Sequence, residues 1–181
     1  MGAISECALL VLALGLGRLG GVSAFDRLRL DLEAAVIGAA GALPMLALLL
    51  WCLWTTWGPM RRLVALVELR LGPHLADASA GGIVILALLA GGGEELLFRG
   101  VIQVWLAERA PVWLALAVAS LLFGAGHWLS ASYAVLASFI GAYLGILFLV
   151  SGNLLAPVIA HAVYDVVALL VLARRASVSP G

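Results

Sequence analysis

Two adjacent glutamates, Glu94 and Glu95, followed four residues after the second by Arg99, lie in the stretch GGGEELLFRG at residues 91–100. Its flanks, GGIVILALLA and VIQVWLA, are apolar. Other ionisable side chains stand in similar company: His127 closes FGAGH, and His161 and Asp165 bound HAVYD. A charge near the centre of a hydrocarbon layer costs of order 2.5–3.5 kcal/mol even on forgiving scales, so each of these groups must face protein or water. Glu95 and Arg99 are one helical turn apart, acid before base, and can pair on their own helix. Glu94 points about 100° away from Glu95. One turn beyond Glu94 stands Phe98. Its carboxylate has no ionic mate on its own helix and requires another reason to be there.

The residue types suggest one. A carboxylate without an ionic partner in a dry bundle suits a general base that takes up and returns a proton. A neighbouring imidazole can share a water with it. A second imidazole, held by a carboxylate one turn away as His161 is by Asp165, can donate a hydrogen bond to a developing oxyanion. Water activation with oxyanion stabilisation is the equipment for peptide hydrolysis. The same ligands, Glu94, His127 and His161 with Asp165 nearby, also resemble a zinc site with an open position, and residue types alone leave both readings standing. A third reading is non-enzymatic: a proton-coupled carrier, or an immunity protein whose buried acids relay protons or bind a partner. Blander roles compete as well. His127 would be an interfacial histidine, His161 and Asp165 an interhelical clamp, and Phe123 a packing residue that shapes the site one turn before His127.

The elements that position these groups follow from composition. The 181-residue chain is 65% hydrophobic and 11% charged, with a mean hydropathy of +1.17. A soluble domain of this size needs far more polar surface, so the chain is an integral membrane protein, one domain over 1–181. Formal net charge is zero, which points away from nucleic acid as a partner. At about 20 residues per span, hydropathy lays out about six helices, near 3–19, 34–57, 82–106, 112–129, 131–150 and 154–173. The first lacks a basic start and a small-residue exit and is read as a retained helix. Between the second and third, Arg61, Arg62, Glu68 and Arg70 alternate with Leu63, Leu66 and Val67, predicting a helix on the membrane surface. Continuous apolar runs without period-2 alternation exclude a barrel. The fold class is all-α, a polytopic bundle.

At about 1.5 Å per residue, Glu94, His127, His161 and Asp165 fall roughly 12–22 Å from the side where the third and fourth spans join, one layer fed by three helices. Gly91, Gly92, Gly93, Gly124 and Gly126, together with the Gly141-x-x-x-Gly145 face, allow close helix approach. The SGN turn before Pro157 is expected to leave open backbone that admits water or an extended peptide. Cys7 and Cys52 lack metal or disulfide spacing and read as small apolar residues. Glu6 is expected to reach the interface and His74 to be solvated. Arg61, Arg62, Arg70, Arg174 and Arg175 share one side against Arg18, Arg27, Arg29 and Arg109 on the other, which tips both termini toward the cytoplasm.

EELLFR, FGAGH and HAVYD, in that order on successive spans, resemble the EExxxR, FxxxH and HxxxN/D motifs of the CAAX protease and bacteriocin-processing (CPBP) family of intramembrane endopeptidases. The resemblance covers residues 80–172, the expected catalytic core. It implies that Glu94 and His127 activate water, that His161 and Asp165 stabilise the oxyanion, and that Glu95 and Arg99 hold the local architecture. Relatives commonly carry Asn where this chain has Asp165. An ionised Asp cannot donate a hydrogen bond, so it would instead orient His161. No cofactor is expected, zinc being the alternative. An Arg-only basic complement in an Ala-, Leu- and Gly-rich chain points to a bacterial inner membrane. The expected partner is a membrane-anchored protein or peptide cleaved during maturation, leader removal or C-terminal sorting; in that setting a prenylated substrate is not expected.

Overall fold

The computed structural model describes the backbone of residues 2–178 and the side chains of 8–177. The described residues form seven helices and no strand: α1 (Gly2–Gly20), α2 (Leu32–Trp54), α3 (Gly58–Leu75), α4 (Ala80–Ala107), α5 (Val112–Gly126), α6 (Ala131–Ser151) and α7 (Leu155–Val178). Four of them, α2, α4, α6 and most of α7, are long and apolar enough to cross a membrane, while α5 and the Ala8–Gly20 part of α1 are apolar but shorter. These six apolar helices fit the expected polytopic bundle, and α3 forms the additional, more polar helix expected between the second and third spans. The chain is a multi-pass membrane protein. The side chains of Glu6 and Cys7 lie outside the described residues, and Cys52 is a buried free thiol.

Helix starts are fixed locally. Asp31, Ser79 and Ser130 each accept a hydrogen bond from a backbone N–H of the first turn they precede, at 2.7, 3.1 and 3.2 Å. α6 ends where Gly152 takes φ +61°, a left-handed conformation suited to glycine. α3 buries Met60, Leu63, Gly72 and Leu75 and leaves Arg61, Arg62 and Arg70 exposed. Its apolar stripe lies on the end of α7, where Leu75 packs with Leu172. Glu68 accepts from Arg175 at 2.6 Å beside this contact.

α7 stands at the centre, packed against α2, α3, α4 and α6, while α4 packs also on α1 and α5. Close approach of α4 to α7 depends on Gly91: a Cβ there would meet the Ala162 backbone nitrogen at 2.8 Å. Gly92 has nothing within 4 Å, so the close contact expected of it is not made. A Cβ on Gly124 would collide with Ser138 and the Ala134 carbonyl, which fixes the α5–α6 contact. Gly126 makes no such tight contact.

Two local findings depart from the sequence reading. The third span is not a uniform α-helix: Leu96–Gln103 winds as a π-helix, a wider form concentrated at functional sites. The SGN turn is not open. Asn153, 1% exposed, donates to Asp31 at 2.6 Å and to the Arg29 carbonyl at 2.8 Å, and accepts from the N–H groups of Arg29 and Leu155. A side-chain amide so occupied fastens the loop before α2 to the α6–α7 turn.

Candidate active site

The polar groups are gathered by the middle of α4, the end of α5 and the middle of α7. Residues 93–101 of α4 are all buried, Glu95 and Arg99 at 0% and 1% exposure. Arg99 donates to Glu95 at 2.6 Å, the pairing expected from their spacing. Its other terminal nitrogen donates to the Gly141 carbonyl on α6 at 2.7 Å. One turn further, Gln103 donates to the Gly145 carbonyl at 3.3 Å. Two residues four apart on α4 thus meet two carbonyls four apart on α6. The glycines of Gly141-x-x-x-Gly145 serve less as a bare packing face than as openings through which these side chains reach the backbone: a Cβ on Gly141 would stand 3.3 Å from the Arg99 Nη2.

Glu94 is 8% exposed and its Oε2 has no hydrogen-bond partner. His127 Nε2 lies 3.5 Å from it, brought there because His127 caps the end of α5. His127 Nδ1 lies 2.9 Å from the Phe123 carbonyl. A carbonyl only accepts, so the proton sits on Nδ1, and in the neutral ring Nε2 is an acceptor. With Glu94 ionised and His127 neutral, Oε2 and Nε2 are two acceptors facing each other without a hydrogen between them.

His161 is 4% exposed and held from both ends. Its Nδ1 donates to Glu95 Oε1 at 2.9 Å, and its Nε2 lies 3.5 Å from Asp165 Oδ2. The stronger anchor is thus Glu95, from another helix, and not Asp165 one turn away. Glu95 was expected to serve Arg99 alone. Its Oε1 takes both the guanidinium and the imidazole, leaving Oε2 buried without a partner. The ring of His161 belongs with Glu95, while Glu94 is met by His127.

Phe123 forms the wall between the two imidazoles. It stacks on His127 at 4.4 Å between centroids, meets His161 edge-on at 5.8 Å, and carries the Arg99 guanidinium 4.5 Å over its face. Phe98, one turn beyond Glu94, packs edge-on against it at 5.2 Å. Sequence reasoning singled out Phe123 but passed over Phe98, Gly141 as an acceptor, and Glu95 as the partner of His161. The spacings of 99/103 and 141/145 were visible signals; nothing linear joined them.

Among the described residues, no group of three or more His, Cys, Asp or Glu side chains is spaced to hold a metal ion. Glu94, His127 and His161, the set that zinc would use, are split here between different partners.

Residues 77–167 match the family model described as Type II CAAX prenyl endopeptidase Rce1-like. The match begins just before α4, ends just after Asp165, and includes all the groups above. No curated protein and no solved structure matches the chain. With half its length in that match and the motifs in order on a helical membrane bundle, the chain belongs to the Rce1-like family of type II CAAX endopeptidases, proteases that act on a peptide or protein substrate.

Proposed function

We propose that the protein hydrolyses a peptide bond of a membrane-anchored substrate, with Glu94 and His127 activating the water. The observation that carries this reading is the 3.5 Å opposition of Glu94 Oε2 and His127 Nε2. Two acceptors at that separation can each take one hydrogen of a single water, which then presents an oxygen lone pair outward. Attack of that oxygen on the scissile carbonyl forms a C–O bond and passes a proton to Glu94. The oxyanion accepts a hydrogen bond from the Nε2–H of His161, which acts as a doubly protonated imidazolium whose Nδ1–H donates to Glu95. Collapse breaks the C–N bond, and the departing amine receives the proton from Glu94. Asp165, its Oδ2 3.5 Å from His161 Nε2, favours the proton there until the substrate oxygen arrives.

The working setting is a bacterial inner membrane, and the substrate is a leader or sorting tail near the bilayer. No metal is needed for these steps. The test compares the protein with Glu94→Gln in lipid nanodiscs on a membrane-proteome peptide library. Loss of cleavage by about 10²–10⁴-fold with folding intact is expected, the share typical of a general base. Equal cleavage by both proteins overturns the reading, and pH-driven transport lost in the same variant would favour a carrier.

A further inference from the structure

A half-open cleft of about 330 Å³ lies where α4 and α6, two of the spans long enough to cross a membrane, come to their ends. Its polar walls are Arg27, Gln103 and Glu108. Gln103 is 2% exposed; its Nε2 donates to the Gly145 carbonyl at 3.3 Å, and its Oε1 is buried without a hydrogen-bond partner. A buried acceptor in that state calls for a donor. Arg27 and Glu108 are exposed and border the same cleft without pairing with each other. Glu108 commits Oε2 to Arg109 at 2.9 Å, and Arg27 is in no ion pair among the described residues.

These handles select the occupant. The guanidinium takes a phosphate, the carboxylate takes a cation, and Gln103 Oε1 takes an N–H. A primary ammonium two carbons from a phosphate serves all three. A quaternary ammonium has no N–H to give, and a bare phosphate leaves Glu108 and Gln103 unserved. The other walls are mostly apolar, and two of them, Val112 and Leu149, are 49% and 43% exposed. A chain esterified to the phosphate therefore passes from the cleft to the bilayer along apolar surface.

We infer that this cleft binds the headgroup of one phosphatidylethanolamine molecule, at a lipid site separate from the catalytic layer. The inference is independent of what the protein cleaves. Gln103 braces α4 on α6 one turn from the Arg99–Gly141 bond, so the bound headgroup supports the same seam that holds Arg99.

Native mass spectrometry of the full chain in detergent tests the site with palmitoyl-oleoyl phosphatidylethanolamine, phosphatidylcholine and phosphatidylglycerol. One phosphatidylethanolamine per chain is expected to bind about tenfold or more tighter than either other lipid, the scale of one hydrogen bond to a charged group. Glu108→Gln should erase the preference over phosphatidylcholine, and Arg27→Ala should weaken all three lipids about tenfold. Both side chains are exposed, so the variants are expected to fold. Gln103→Leu should also erase the preference; if it does not fold, Glu108→Gln decides alone. Arg18→Ala, outside the cleft, should leave binding unchanged. Equal affinity for phosphatidylethanolamine and phosphatidylcholine, or a preference that survives Glu108→Gln, overturns the proposal. Tighter binding of phosphatidylglycerol overturns it in favour of an anionic-lipid site. Displacement of the lipid by an equal concentration of sn-glycero-3-phosphoethanolamine overturns it in favour of a soluble ligand.

Discussion

Glu95 on α4 and His161 on α7, 66 positions apart in the chain, are joined by a 2.9 Å hydrogen bond through an oxygen that also accepts from Arg99. One buried carboxylate therefore ties together a guanidinium and an imidazole. Glu95→Gln keeps the shape and removes the charge. We expect kcat to fall by about 10²-fold or more with KM little changed, the loss typical of a displaced oxyanion donor. Steady-state kinetics on any peptide found by the library screen checks this, and a change confined to KM would assign Glu95 to substrate binding.

Arg99→Met removes the guanidinium from Glu95 and leaves the buried carboxylate with His161 as its remaining partner. Removing one partner of a buried ion pair typically costs about 3–5 kcal/mol. Thermal unfolding in detergent should show the loss, and Glu95→Gln/Arg99→Met should recover a large part of it. A double variant less stable than Arg99→Met would mean that the His161 bond, and not the charge, dominates.

Two glycines on facing helices make a paired steric test. A Cβ on Gly141 would sit 3.1 Å from Phe123 and 3.3 Å from Arg99, so Gly141→Ala is expected to destabilise by about 1–3 kcal/mol and to displace the wall between the imidazoles. Gly92 faces open space, and Gly92→Ala should be neutral or stabilise by up to about 1 kcal/mol through helix propensity. Unfolding midpoints of the two variants, with activity measured alongside, decide the matter. Similar behaviour at both positions would refute the packing argument.

Metal dependence is expected to be absent. Purified protein should carry far less than one zinc per chain, and 1,10-phenanthroline should leave cleavage unaltered. One stoichiometric zinc whose removal abolishes activity would require Glu94, His127 and His161 to leave their present partners and converge, and would replace the water-activation scheme.

The membrane class, the apolar helices, the polar helix between the second and third of them and the Glu95–Arg99 pair were legible in the linear sequence. Each depends on hydropathy summed over a window or on contacts within a single turn, and both are properties of adjacent residues. The approach of His127 to Glu94 was foreseeable only as a shared depth, because hydropathy counts residues along a helix and says nothing of its rotation about its axis. Rotation is set by packing: Gly91 against Ala162 and Gly124 against Ser138 fix which faces of α4, α5 and α7 turn inward.

That rotation is why His161 fell to Glu95 and not to Glu94, a distinction of one residue that no spacing argument resolves. The π-helical stretch at Leu96–Gln103 was not legible either; two of its side chains, Arg99 and Gln103, reach the carbonyls of Gly141 and Gly145 on another helix. Sequence alone determined that ionisable groups must be buried together in a membrane bundle, because hydrocarbon tolerates them in no other way. Tertiary structure decided which carboxylate stays unpaired beside an imidazole, because that depends on angles between helices, which only their packed surfaces define.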